Sequence, residues 1–204
     1  MKLESRAMKK YSTVYVDIDT QNDFIDPHGS LPVPDGHRIY SNLGRLVQHA
    51  GTQGIPVISS VCAHKEGDPP PIHCVMDTWG YLKLGFTLLP RRVTLPALVH
   101  VPQPDALLDN YQQIILQKHV ISVFTNVNAD PLVRAVDADS WVLFGVATEY
   151  SVQEWVRGFL ERGKRVRLVT DAILPKDSDE GRAVLEALCA QGAETTTTEK
   201  VISA

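Results

Sequence analysis

Asp19, Lys118 and Ser151 are the residues whose types and surroundings first suggest chemistry. Each follows or ends an apolar run: Asp19 comes after residues 13–18, Lys118 after Ile114-Ile115-Leu116-Gln117, and Ser151 lies in Gly145-Val146-Ala147-Thr148-Glu149-Tyr150-Ser151-Val152. Parallel α/β sheets bind ligands outside the carboxyl ends of their strands, so the three are expected to meet at one sheet edge. An aspartate held there and partly desolvated suits a general base; the same position also suits an Asx-turn or a helix-cap aspartate. A lysine at that edge can hold a carboxylate or a developing anion, or simply reach solvent. Around Ser151 the chain passes from strand to helix. The first N–H groups of a helix have no intrahelical partner and can bind an oxyanion, while a first-turn serine can also satisfy local backbone.

The elements that must position these residues follow from hydrophobic periodicity. Short β-branched runs at 13–18, 56–61, 113–117, 141–146, 166–170 and 194–198 alternate with helical patterns at 36–52, 130–136, 149–162 and 178–191. Nearly continuous apolar strands joined by helices predict a single-domain, doubly wound α/β fold with a mostly parallel sheet flanked by helices. Residues 67–71 and 85–105, rich in proline, are expected to be irregular. The first 12 residues are set apart as an N-terminal extension, with the domain expected over 13–204.

Composition narrows the partners. The 204 residues carry 20 Lys+Arg against 24 Asp+Glu, a formal net charge of −4, which leaves no basic surplus for phosphates and argues against nucleic acid or an anionic membrane as partner. Three scattered cysteines make no disulfide framework, and the basic N-terminus leads into only a short apolar run broken by Asp17 and Asp19. A reducing, cytoplasmic setting and a small-molecule ligand are the expectations.

Five motifs occur together in order: Asp19-Thr20-Gln21-Asn22-Asp23-Phe24; Gly29-Ser30-Leu31-Pro32-Val33-Pro34; His73-Cys74-Val75 with Thr78 and Gly80; Lys118 with Ser122-Val123-Phe124; and Gly145 to Val152. In that order and spacing they resemble the isochorismatase-like cysteine hydrolases, and among these most the nicotinamidases. The resemblance implies a Rossmann-like fold and hydrolysis of a C–N amide bond in a small, aromatic molecule. It places the base at Asp19, the lysine at Lys118 and the nucleophile at Ser151, and it implies an oxyanion hole from the N–H groups of Ala147 and Ser151 beside a cis peptide between Val146 and Ala147. Phe24, Trp79, Val146 and Tyr150 would border the substrate, although the aromatic residues suit a core equally well. No organic cofactor is implied, and a homo-oligomer is.

Two departures from the resemblance matter. The family's Thr-Asp/Glu-Tyr-Cys-Val reads Thr148-Glu149-Tyr150-Ser151-Val152 here, so the nucleophilic thiol is replaced by a hydroxyl that a carboxylate base deprotonates poorly. The metal-binding Asp-x-His pair and later His of nicotinamidases fall at Cys62, His64 and His73. A thiolate and two imidazoles suit zinc, while Cys62 also suits a small buried hydrophobe beside remnant histidines. Impaired amide hydrolysis, vinyl-ether hydrolysis of the isochorismatase type that does not need the cysteine, and a binding or scaffold protein without activity therefore all remain open at this stage.

Overall fold

Strands without polar alternation need cover on both faces, and helices supply it on each side of a seven-stranded sheet. The computed structural model describes residues 9–203. Its strands are β1 (Lys10–Ile18), β2 (Val57–Cys62), β3 (Arg92–Leu95), β4 (Gln113–Lys118), β5 (Asp137–Val146), β6 (Val166–Leu174) and β7 (Glu194–Thr196). They lie in the order β3-β4-β2-β1-β5-β6-β7, and every pairing is parallel. The helices are α1 (Asn22–Ile25), α2 (Tyr40–Gln53), α3 (Ala129–Ala135), α4 (Gln153–Glu161), α5 (Ser178–Ala190) and α6 (Thr198–Ile202).

Alternate residues of β1 feed two cores. Val14, Val16 and Ile18 pack with Trp141, Trp155 and Phe159, whereas Tyr15 packs with Leu43, Leu46 and Val47 of α2. Because chain order reverses across β1, with β2 on one side and β5 on the other, the carboxyl ends of β1 and β5 flank the crevice where such sheets bind ligands. No helix among the described residues is long and apolar enough to cross a membrane.

The architecture matches the sequence expectation, and the differences have physical causes. β1 starts at Lys10, so residues 10–12, set apart above as extension, pair with β5 from Lys10↔Asp137 onward; residues 1–8 lie outside the described residues. β3 falls inside the stretch expected to be irregular. It is a four-residue edge strand between Pro90 and Pro96 with only Leu95 buried, so it carries no apolar run to announce it. β6 continues to Leu174 instead of ending near Thr170, because exposed Thr170 and Asp171 sit at an irregularity where the β5–β6 register jumps from Leu143↔Leu168 to Gly145↔Ile173.

Beneath the binding edge lies a buried ion pair. Lys83 Nζ lies 2.9 Å from Asp17 Oδ2, with side chains 3% and 0% exposed. The Lys83 ammonium donates to Thr20 Oγ1 at 2.8 Å, and Thr20 and Ser59 hydroxyls donate to the Asp17 carboxylate at 2.8 and 3.2 Å. Gln113 Nε2 completes the network by donating to Ser59 Oγ at 2.9 Å. Removing one member of a buried pair leaves the other charge uncompensated. Lys83→Met is therefore expected to lower unfolding stability by about 3–5 kcal/mol, with much of the loss regained in Asp17→Asn/Lys83→Met. Urea unfolding of the unaltered chain and these two variants tests this; a Lys83→Met loss below about 1 kcal/mol would contradict it.

Candidate active site

The side chain of Lys118 ends β4 fully buried, and four strand ends converge on its ammonium. Nζ lies 2.9 Å from Asp19 Oδ2, 3.0 Å from Cys62 Sγ, 3.2 Å from Ser151 Oγ and 3.3 Å from the Val120 carbonyl oxygen. Burial alone lowers a lysine's pKa, but the Asp19 carboxylate, together with the Cys62 sulfur, outweighs it and holds Lys118 above the ordinary lysine value. Asp19 turns inward because it leaves β1 at φ 50°, a left-handed conformation that aspartate tolerates better than most residues. Its second oxygen accepts from Ser60 Oγ at 2.7 Å, and Trp155 Nε1 donates to that hydroxyl at 3.2 Å. Asp19 and Ser151 share no hydrogen bond; the ammonium lies between them.

Cys62 ends β2, where the Gln21 side chain fixes its backbone. Cys62 N–H donates to Gln21 Oε1 at 2.7 Å, and Gln21 Nε2 donates back to Cys62 O at 2.9 Å. The ligand atoms of Cys62, His64 and His73 all lie within 4.8 Å of one another. His73 Nδ1 contacts the Pro71 carbonyl at 2.7 Å, and a carbonyl only accepts, so Nδ1 carries a proton and Nε2 takes no part in that bond. His64 Nδ1 likewise lies 3.3 Å from Asp68 Oδ2. Both imidazoles are thus tied back by an outer oxygen, the arrangement that orients metal-ligating histidines. Burial pushes the Cys62 thiol up, but the Lys118 ammonium and the two imidazoles overcome this and place it below a free thiol. Its hydrogen bond with Cys62 raises His64 above an ordinary imidazole.

Ser151 stands on the turn at the end of β5. Gly145 has φ 124°, and a Cβ there would strike the Ile18 backbone, so only glycine lets the two strand ends approach this closely. The Val146–Ala147 peptide is cis. Residues Thr148–Val152 form a π-helical turn before α4, and both Tyr150 N–H and Val152 N–H donate to the Ala147 carbonyl.

Asp19, Cys62, Lys118 and Ser151 all line a single cavity of about 420 Å³, together with His64, His73, Phe24, Val146, Ala147 and Tyr150. Trp79 does not line it. The Thr78–Gly80 turn runs outside, Gly80 packs on the Asp23 carboxylate, and the indole is 51% exposed. Asp23 instead ties the surrounding loops together, accepting from Ser30 N–H at 2.8 Å and Cys74 N–H at 2.6 Å.

Sequence reading missed other lining residues: Leu31, Val33, Pro71, His119, Val120, Ile121 and Lys176. His119, Val120 and Ile121 follow directly on Lys118, so the end of β4 was itself a signal for them. Leu31 and Val33 lay in a quoted motif without an assigned role. Lys176 carried no signal, because its strand was expected to end several residues earlier.

Comparison with known proteins bears on the fold and the family. A nicotinamidase of Saccharomyces cerevisiae is 25% identical over 194 residues, covering 79% of this chain and 88% of that protein; one of Escherichia coli is 26% identical, covering 79% and 84%. Among solved structures, the pyrazinamidase of Pyrococcus horikoshii in complex with zinc superposes with a TM-score of 0.71 at 23% identity, covering 91% of this chain and 99% of that one. A nicotinamidase from Bacillus subtilis gives 0.73 at 18% identity with the same coverage. The sequence profile of the Isochorismatase domain matches residues 13–200, nearly the whole of the sheet and its helices, and the chain belongs to that family.

Proposed function

We propose that this chain hydrolyses the C–N bond of a small amide, with Ser151 as the attacking group, Asp19 as the proton acceptor and donor, and Lys118 as the cation between them. The observation that carries this reading is the single buried ammonium touching Asp19, Ser151 and Cys62 at a cavity of about 420 Å³ bordered by Phe24, Val146 and Tyr150. That volume is in the range of small-molecule sites. The isochorismatase-domain membership and the two nicotinamidase relatives support the same reaction class.

In the first half-reaction the Ser151 hydroxyl proton passes to Asp19 while an Oγ–C bond forms at the substrate carbonyl. The carbonyl oxygen becomes an oxyanion, which the N–H groups of Ala147 and Ser151 stabilise. The C–N bond then breaks, and the nitrogen leaves as ammonia or an amine with the proton returned from Asp19. Water then gives a proton to Asp19 and adds to the ester carbonyl; the Oγ–C bond breaks, Ser151 Oγ takes that proton back from Asp19, and the acid product leaves. The weak point is the attacking atom. Ser151 Oγ accepts from Lys118 and shares no hydrogen bond with Asp19, and an alcohol is several pKa units less acidic than a thiol, at about 1.36 kcal/mol for each unit.

The donor set of Cys62, His64 and His73 fits zinc: one sulfur, two imidazole nitrogens and tied-back Nδ1 atoms. Zinc held there would supply a Lewis acid at the cavity wall. Chain purified without chelator and dialysed against micromolar zinc is expected to retain about one ion, and His64→Ala or His73→Ala to lose it. Elemental analysis reads this directly, and equal zinc in all three samples would place the ion elsewhere.

Ser151→Cys is expected to raise ammonia release from nicotinamide or a similar aromatic amide at least tenfold, since it restores a thiol to otherwise unchanged machinery. Asp19→Ala in that background is expected to remove the gain, a positioned base being worth about 10²–10⁴-fold. A folded Ser151→Cys chain that leaves an amide panel at background would sink the amidase reading in favour of vinyl-ether hydrolysis or binding without turnover.

A further inference from the structure

We infer that the substrate carries a carboxylate at the end opposite its reacting amide, and that Lys176 recognises it. This deepens the amidase reading and rests on it for which end reacts. Two ammonium groups line the cavity. That of Lys118 is neutralised by Asp19 at 2.9 Å, as the other buried lysine, Lys83, is neutralised by Asp17. Lys176 differs: it is half-buried at the same cavity, and its ammonium makes no ion pair or hydrogen bond among the described residues.

Its position relative to Ser151 is fixed by the backbone. Glu149, two residues before Ser151, is buried, and its Oε1 accepts from Lys176 N–H at 2.7 Å and from Asp177 N–H at 2.6 Å. The turn that presents the attacking hydroxyl and the turn that presents the free ammonium are therefore bolted to one carboxylate. Asp177 makes no ion pair with the lysine; its Oδ1 caps α5 by accepting from Asp179 N–H and Glu180 N–H, both at 2.9 Å.

Apolar side chains make up much of the remaining lining, including Leu31, Val33, Val120, Ile121 and Tyr150. A polar reacting end, an apolar middle and one uncompensated positive charge match a monoanionic amide with an aromatic or aliphatic body. One ammonium acts as a single point charge, which suits a carboxylate better than a phosphate; phosphate sites draw on several N–H donors or a guanidinium fork.

The test compares benzamide with 3-carbamoylbenzoate and 4-carbamoylbenzoate by ammonia release. At least one carboxylated amide is expected to exceed benzamide about tenfold or more in kcat/KM, through KM, with the ratio falling as salt rises. Lys176→Met is expected to collapse that ratio toward one. Equal kcat/KM for all three amides in the unaltered chain, or a ratio that survives Lys176→Met, overturns the inference. Binding of 3-acetylbenzoate and acetophenone, in which a methyl ketone replaces the amide, separates the two readings by calorimetry. Tenfold tighter binding of 3-acetylbenzoate by the unaltered chain than by Lys176→Met, with no turnover of any amide by the unaltered chain or by Ser151→Cys, keeps the anion subsite and discards the amidase. Equal binding of 3-acetylbenzoate by both chains discards the subsite.

Discussion

Everything at the binding edge depends on keeping the Lys118 ammonium charged in the protein interior. Taking such a group out of water costs several kcal/mol even after relaxation, and the cost is offset only where opposite charge and acceptors surround it at close range. Here they come from four separate stretches: Asp19 after β1, Cys62 at the end of β2, Val120 after β4 and Ser151 after β5. No local stretch of chain can supply that set. The parallel order β4-β2-β1-β5 does, because it places four carboxyl ends side by side. Fold and site are thus one solution to one electrostatic demand.

The second buried pair, Lys83 with Asp17, meets the same demand one layer below and serves a different end. Its partners Thr20, Ser59 and Gln113 belong to β1, β2, β4 and their connections, so the network holds those strands in register beneath the cavity. Thr20 joins it directly to the segment carrying Asp19 and Gln21, and Gln21 in turn grips both backbone polar groups of Cys62. Strain at Asp19, with φ at 50°, is tolerable because its neighbours are held on both sides.

Much of this was legible in the sequence, for reasons that differ by residue. Apolar runs betrayed the central strands, and a polar residue directly after such a run marks a carboxyl end, which is why Asp19, Lys118 and Ser151 could be grouped before any coordinates. Edge strand β3 was not legible, since burial on one residue of four leaves no pattern. Lys176 was hidden by Thr170 and Asp171, polar residues that interrupt β6 without ending it. Trp79 misled for the opposite reason: aromatic character signals burial or binding only on average, and here the loop is anchored through the backbone of Trp79, whose carbonyl accepts from Asn22 Nδ2.

The chain has a thiol in its site, but at Cys62, across the ammonium from the position where the family's motif carries one. The two positions are not equivalent, because their backbones offer different things. Position 151 stands on the π-helical turn between β5 and α4, where the proposed oxyanion donors lie. Position 62 has no spare backbone donor, since Gln21 occupies both its N–H and its carbonyl; around its sulfur stand Lys118 and two imidazoles with their Nδ1 atoms turned away. Donors of that kind stabilise a sulfur anion or share it with a metal, and they do nothing for a tetrahedral oxyanion. A sulfur at 62 therefore does not replace one at 151, and under the proposed amidase reading Ser151 has Asp19 and Lys118 around it but not the thiol that such groups activate best.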